Sequence, residues 1–212
     1  ELIRLLYKKQ ICTIHGRVFV GLIYSNTSSY SKRYVFVKEL SILPYLWINL
    51  FKTKKCQTIN NIVSSPLQYQ YNQFLHSIYN SAYIDVFGTY LCSKLVENRI
   101  SPHFPLFYGT TQTMFKKYSF EIEQDELHLF RDDDNKLLYS DHTTLYKHTN
   151  DYIVQYSNIP IQLLFIEKIS HSFDDFLDKS RSEKEWMSVL FQVVAAVYTI
   201  QNKYSMCHND LH

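Results

Sequence analysis

The stretch IPIQLLFI, residues Ile159 to Ile166, is almost wholly apolar, with Gln162 as its one strongly polar side chain. A polar segment that ends at Asn158 precedes it. An uninterrupted apolar run of this length is typical of a strand that is buried on both faces. The run therefore predicts the central strand of a sheet.

Further strands and two helices are predicted before and after this strand. Short β-rich runs at Val18 to Tyr24 and Tyr34 to Val37 predict two strands joined by a polar turn. Apolar residues at three-and-four spacing predict a long helix from about 73 to 98, despite Gly88. Further strands are predicted at Phe104 to Tyr108, Met114 to Glu123 and Leu127 to Phe130, with a solvated turn at Asp132, Asp133, Asp134 and Asn135.

A second helix is predicted to begin at Ser182, because Ser182 and Glu185 have the spacing of a capping box. One face of this helix is apolar, and the chain leaves it near Tyr204. Together these elements predict an α+β fold.

The composition indicates a folded chain with an ample core. Of its 212 residues 46% are hydrophobic, and they include 18 tyrosines and 14 phenylalanines. These values exclude collagen, a disordered tail and a coiled coil. A net charge of +2 predicts no strong attraction to nucleic acid or anionic lipid, since counterion release needs a clustered basic surface. No apolar run approaches the ~20 residues of a membrane span.

The four cysteines lie far apart, at Cys12, Cys56, Cys92 and Cys207. Their spacing argues against a disulfide framework or a zinc ribbon and favours a reducing, intracellular compartment.

The last residues, Cys207 to His212, read CHNDLH. Asp210 in a loop after a long helix suits a carboxylate that orients a hydroxyl and accepts its proton. Two other interpretations stay open on these residues alone. The side chains of His208 and Asp210 could bond local backbone, or Cys207, His208, Asp210 and His212 could ligate a metal ion, as in a metal-dependent hydrolase.

This run resembles the catalytic loop of the protein kinase superfamily, in the His-x-Asp-Leu-His form of some atypical and viral members. Four more segments resemble that family in its order: Gly16-Arg17-Val18, Val35-Phe36-Val37-Lys38, Pro102 to Gly109, and Phe165 to Leu177. The combination is most similar to serine/threonine protein kinases of large DNA viruses. The resemblance implies an N-terminal lobe of antiparallel strands with one long helix over residues 1–166. The hinge and first helices of a helical lobe would follow over 167–212.

The resemblance also implies a role for each matching residue. Asp210 would be the catalytic base, and His208 would hold the loop. Lys38 would contact the ATP phosphates and pair with a helix carboxylate, Asp85 in preference to Glu97. The nucleotide would further contact Gly16, Val18, Ile166, Glu167 and Ile169. The implied cofactors are ATP and Mg²⁺, the implied partner is a protein substrate, and the implied location is the cytoplasm of an infected host cell or the virion.

Three departures from the family pattern bear on activity. Gly16 and Gly21 do not form Gly-x-Gly-x-x-Gly, and Phe36 stands where a small alanine is usual. Both favour a pseudokinase, a binding module without turnover. The two magnesium ligands of the family would follow residue 212, so the printed chain alone is expected to be inactive. A small-molecule kinase is a close variant, because His212 in place of lysine also occurs in such loops.

Overall fold

The computed structural model describes residues 3–13, 16–24, 30–43, 73–131, 143–148, 151–171 and 173–207. They form a mixed α+β fold of two antiparallel sheets and a few helices. The strands are β1 (Ile3–Thr13), β2 (Gly16–Tyr24), β3 (Tyr30–Ser41), β4 (Phe107–Phe115), β5 (Tyr118–Ile122), β6 (Thr143–His148), β7 (Asp151–Tyr156) and β8 (Ile159–Glu167). The helices are α1 (Ser81–Glu97), α2 (Phe173–Leu177), α3 (Glu183–Tyr204) and a 3-10 helix at Gln124–Leu129.

The larger sheet has five strands in the order β1-β2-β3-β8-β4. The apolar run at residues 159–166 forms β8, between β3 and β4, and Ile159, Ile161 and Leu164 are buried there. The prediction of a buried central strand is therefore confirmed.

The described chain divides into two compact units. Unit 1 comprises residues 1–38, 85–109 and 165–212, and unit 2 comprises residues 39–84 and 110–164. In unit 1, the buried apolar side chains are those of Val18, Val35, Val37, Leu95, Tyr108 and Ile200. The lobe boundary at residue 166 stays a prediction.

Unit 2 contains the smaller sheet, of order β5-β7-β6. Its core cluster includes Phe130, Val154 and Tyr156, all fully buried. The predicted strand at Leu127 to Phe130 is wrong, because this segment ends a 3-10 helix whose first turn is closed by a capping box between Glu123 and Glu126. The predicted turn at residues 132–135 lies outside the described residues.

Residues 73–75 are helical as predicted, but residues 76–80 interrupt the predicted helix, and α1 begins at Ser81. The reason is Asn80, which is buried and whose side-chain oxygen accepts a hydrogen bond from the Ala82 amide over 3.0 Å. Its side-chain amide donates to the Ile42 carbonyl over 2.8 Å. Asparagine in this role satisfies an amide that a helix start leaves unpaired, so the helix starts there.

Helix α1 ends at residue Glu97 in a Schellman motif. The Ile100 amide donates to the Leu95 carbonyl over 2.8 Å, and the Arg99 amide donates to the Val96 carbonyl over 2.9 Å. Arg99 occupies the position after the cap with φ of 58°, a left-handed conformation that favours glycine.

Helix α3 begins as predicted. The Ser182 side chain accepts from the Glu185 amide, and the Glu185 carboxylate accepts from the Ser182 amide. These bonds from Ser182 lower the pKa of Glu185. Among the described residues, no helix combines the length and the apolar character that crossing a bilayer requires.

Two substitutions test this description of the backbone: one removes a glycine inside α1, and the other introduces a glycine just after its end. Gly88 lies inside the helix, and a Cβ there would meet no atom within 4 Å, so we expect Gly88→Ala to stabilise the fold by about 1 kcal/mol. Arg99→Gly relieves a left-handed residue, and we expect a gain of about 0.5–1 kcal/mol. Equilibrium denaturation in urea measures both.

The matched control for Arg99→Gly is Asn98→Gly, because Asn98 directly precedes Arg99 and does not have a positive φ. Glycine there adds chain freedom and relieves nothing, so it should be neutral or destabilising. A loss of stability in Arg99→Gly would contradict the assignment of the motif.

Candidate functional site

The predicted phosphate-binding and adenine-binding residues of the first strands lie on one face of the β2–β3 ladder. Gly16 is directly opposite Lys38, and Val18 is directly opposite Phe36. Partners in an antiparallel pair share a face, and so do residues two apart on a strand. Val18 is buried and Phe36 is half-buried, so the face next to Lys38 is lined with apolar carbon.

Lys38 forms an ion pair with Asp85 of α1. The Lys38 Nζ and Asp85 Oδ2 atoms are 2.6 Å apart, and the two side chains are 39% and 31% exposed. A charge-assisted hydrogen bond of this length is among the stronger kinds in proteins. The structure thus brings together two residues that are 47 positions apart in the chain.

The alternative partner, Glu97, is engaged elsewhere. Its Oε2 lies 2.5 Å from Lys94 Nζ, and its Oε1 accepts a hydrogen bond from the Ser93 hydroxyl over 3.1 Å. Of the two carboxylates considered from the sequence, the structure therefore pairs Asp85 with Lys38.

Ser93 also attaches α1 to the start of β4. Its side chain is fully buried, and its Oγ accepts a hydrogen bond from the Phe107 amide over 2.9 Å. The rings of Tyr90 and Phe107 meet edge to face, with centroids 5.5 Å apart. These contacts limit the rotation of the helix that carries Asp85.

The predicted hinge residues lie at the end of β8 and just after it: Ile166 and Glu167 are its last two residues, and Ile169 follows. The Lys168 amide donates to the Tyr34 carbonyl over 3.3 Å, so the chain leaves β8 next to the strand that carries Lys38. Ile166 and Glu167 are half-buried, whereas Ile169 is 57% exposed.

Glu167 is held on its other side by Leu106. The Glu167 amide donates to the Leu106 carbonyl over 2.8 Å, and the Leu106 amide donates to Glu167 Oε2 over 3.3 Å. This reciprocal pair fixes Glu167 through both its backbone and its side chain.

The predicted catalytic loop cannot be placed. Asp210, His208 and His212 lie outside the described residues, which end at Cys207. Within the described part of the chain, no three His, Cys, Asp or Glu side chains are grouped closely enough to hold a metal ion.

Cys92 lies on α1 near the centre of these contacts. Burial raises the pKa of its thiol, so the thiol stays protonated and is a poor nucleophile.

Sequence reasoning missed two hydroxyl residues of α1: Ser93, which bonds the helix to β4, and Thr89, which bonds Asp85 within the helix. Thr89 donates a hydrogen bond to Asp85 Oδ1 over 3.4 Å, and Ser93 bonds Phe107 as described. The spacing of four residues between Asp85 and Thr89 was the available signal, because such residues share a helix face.

Comparison with known proteins gave no match for this chain, whether with protein-family models, with curated proteins or with solved structures.

The Lys38–Asp85 contact predicts a measurable coupling free energy. In a double-mutant cycle with Lys38→Met and Asp85→Asn, we expect a coupling of about 0.5–1 kcal/mol, as for a well-oriented but partly exposed pair. The measurement is equilibrium denaturation of the wild type, both single variants and the double variant.

The matched control is a cycle on Lys94 and Glu97, an exposed pair three residues apart on the same helix. Such pairs are worth about 0.2–0.5 kcal/mol. Additive effects of Lys38→Met and Asp85→Asn would show that the two side chains do not interact in solution.

Proposed function

We propose that this chain carries the nucleotide-binding part of an ATP-dependent phosphotransferase of the protein kinase type, acting on serine or threonine hydroxyls of proteins. The observation that carries the proposal is the ion pair between Lys38 and Asp85. In protein kinases a lysine on the third strand pairs with a carboxylate on the following helix. Here β3 and α1, the first long helix among the described residues, supply the pair.

The environment of Lys38 suits a phosphate contact. An ammonium group has three donors, and within the described residues Asp85 is its one hydrogen-bonded partner. The side chain is 39% exposed, so the amine is within reach of a ligand. Asp85 holds it in place, and the remaining N–H groups are available to phosphate oxygens.

The apolar residues beside Lys38 suit an adenine ring. Val18 and Phe36 are opposite each other on the face that carries Lys38, and a nucleobase gains from contact with such surfaces. The backbone of Glu167 and Ile169 would supply hydrogen bonds to the edge of the base. The side chain of Ile166 would close the back of the pocket.

The chemical step is assigned to Asp210. Its carboxylate would orient the substrate hydroxyl and accept its proton as the oxygen attacks the γ-phosphorus of ATP and the bond to the β-phosphate oxygen breaks, leaving ADP. Magnesium ions supply charge neutralisation at the phosphates when bound.

A pseudokinase is the second candidate, and Phe36 favours it. Its ring lies on the same sheet face as Lys38 and takes space that a small residue would leave to adenine. A module of this kind would keep the fold and the ion pair without phosphotransfer.

Binding of magnesium-ATP tests the site itself. We expect saturable binding by calorimetry, weakened roughly 10- to 100-fold by Lys38→Met, since a hydrogen bond to a charged group is worth about 1.5–3 kcal/mol. Lys94→Met is the matched control, because Lys94 pairs with Glu97 of its own helix. No binding, or equal loss in both variants, would refute the nucleotide site.

Phosphotransfer separates the enzyme from the pseudokinase. In the protein that contains this chain, we expect Asp210→Asn to lower the rate of transfer to Ser/Thr peptides by about 10²- to 10⁴-fold, with ATP affinity retained. Asp178→Asn, at an exposed aspartate after α2, should leave the rate unchanged. ATP binding by a wild type that transfers nothing would favour the pseudokinase.

A further inference from the structure

The two carboxylate oxygens of Asp85 have different partners. Oδ2 receives the Lys38 ammonium over 2.6 Å, and Oδ1 receives the hydroxyl of Thr89 over 3.4 Å. Thr89 lies one helical turn after Asp85, so the two side chains are neighbours on one face of α1. The carboxylate therefore lies between a strand cation and a helix hydroxyl.

The direction of the Thr89 hydroxyl is not the default for a helical threonine. A threonine inside a helix usually bonds the carbonyl four residues before it. Thr199 of α3 does so, with its Oγ1 2.6 Å from the Ala195 carbonyl oxygen. Thr89 instead donates to the side chain four residues before it. Helical geometry alone does not select this bond, and the carboxylate of Asp85 accounts for it.

The short side chain of Asp85 makes its orientation depend on a hydrogen-bond partner such as the Thr89 hydroxyl. Its side chain is one methylene shorter than that of glutamate, so fewer of its rotamers reach a lysine on a neighbouring strand. A hydroxyl on Oδ1 favours the rotamer that presents Oδ2 to Lys38. Because the hydroxyl is neutral, it does this without adding a second cation that would compete with Lys38.

We propose that Thr89 is a positioning residue for the nucleotide site: its hydroxyl orients the Asp85 carboxylate, and Asp85 in turn holds Lys38 where ATP phosphates would bind. The effect on nucleotide affinity rests on the proposed function, whereas the orientation of Asp85 does not. Loss of the hydroxyl leaves Oδ1 without this partner, so Lys38 samples more positions.

Three variants test the proposal. Thr89→Val removes the hydroxyl and keeps the shape, Thr89→Ser keeps the hydroxyl, and Thr199→Val makes the same change at the default threonine. We expect Thr89→Val to weaken magnesium-ATP binding by about 3- to 10-fold and Thr89→Ser to restore it to within about 2-fold, from the net worth of one hydrogen bond. Thr199→Val should leave the affinity unchanged.

In this proposal, Thr89 affects ATP affinity only by way of the position of Lys38. In a Lys38→Met background, we therefore expect Thr89→Val to cause no further loss of ATP affinity. A structural effect of valine would persist in that background, and failure of Thr89→Ser to restore binding would show that the hydroxyl is not the cause. Either result overturns the proposal.

A measurement without nucleotide keeps this inference separate from the proposed function. The non-additivity of Lys38→Met and Asp85→Asn in thermal denaturation should fall by half or more in a Thr89→Val background and return with Thr89→Ser. If that pattern is found and no variant binds ATP, the positioning role stands and the nucleotide site is refuted. An unchanged non-additivity overturns the positioning role.

Discussion

The ion pair between Lys38 and Asp85 is the contact on which the functional interpretation depends, yet it contributes little to holding the fold together. A pair this exposed is worth at most about 1 kcal/mol. Its geometry must therefore be set by stronger, buried interactions. The β2–β3 ladder fixes Lys38 opposite Gly16. The start of α1 is fixed by the bond from the Asn80 side chain to the Ile42 carbonyl, and its later part by the bond between Ser93 and Phe107. The Lys38–Asp85 ion pair therefore forms because these elements bring its two side chains together.

The parts of the fold that could be predicted are those whose signal is local. The apolar run of β8 needs burial on both faces wherever it lies, and the capping box at Ser182 acts within one turn. The start of α1 could not be predicted, because periodicity continues upstream while Asn80 takes a partner 38 residues away, at Ile42. Strands β6 and β7 were not predicted for a different reason. Val154 and Tyr156 of β7 are buried, but polar neighbours on these strands obscure the alternation of apolar and polar residues that indicates a strand.

The candidate site shows the same division. The order of motifs along the chain led to Lys38, and the position of Asp85 near the middle of the predicted helix favoured it over Glu97; the structure joins Lys38 and Asp85. Spacing placed Thr89 within reach of Asp85 but could not show that the two side chains bond, and it gave no signal for Ser93, since a serine or threonine in a helix has several possible acceptors. The placement of α1 against β4 decides the partner of Ser93, and the Asp85 carboxylate on the same helix face decides the partner of Thr89. Asp210 stays a prediction, because it lies outside the described residues.

The two residues at the entrance to β4 are bonded in opposite directions. The amide of Phe107 is committed to Ser93 on α1, while Leu106 exchanges two hydrogen bonds with Glu167. A displacement of α1 and a displacement of the end of β8 would thus strain the same peptide plane, the one between Leu106 and Phe107. Free-energy linkage between two binding events is reciprocal. If α1 and the end of β8 move together, a ligand that prefers one position of α1 changes the affinity for a second ligand at the end of β8. The second ligand then changes the affinity for the first by the same factor.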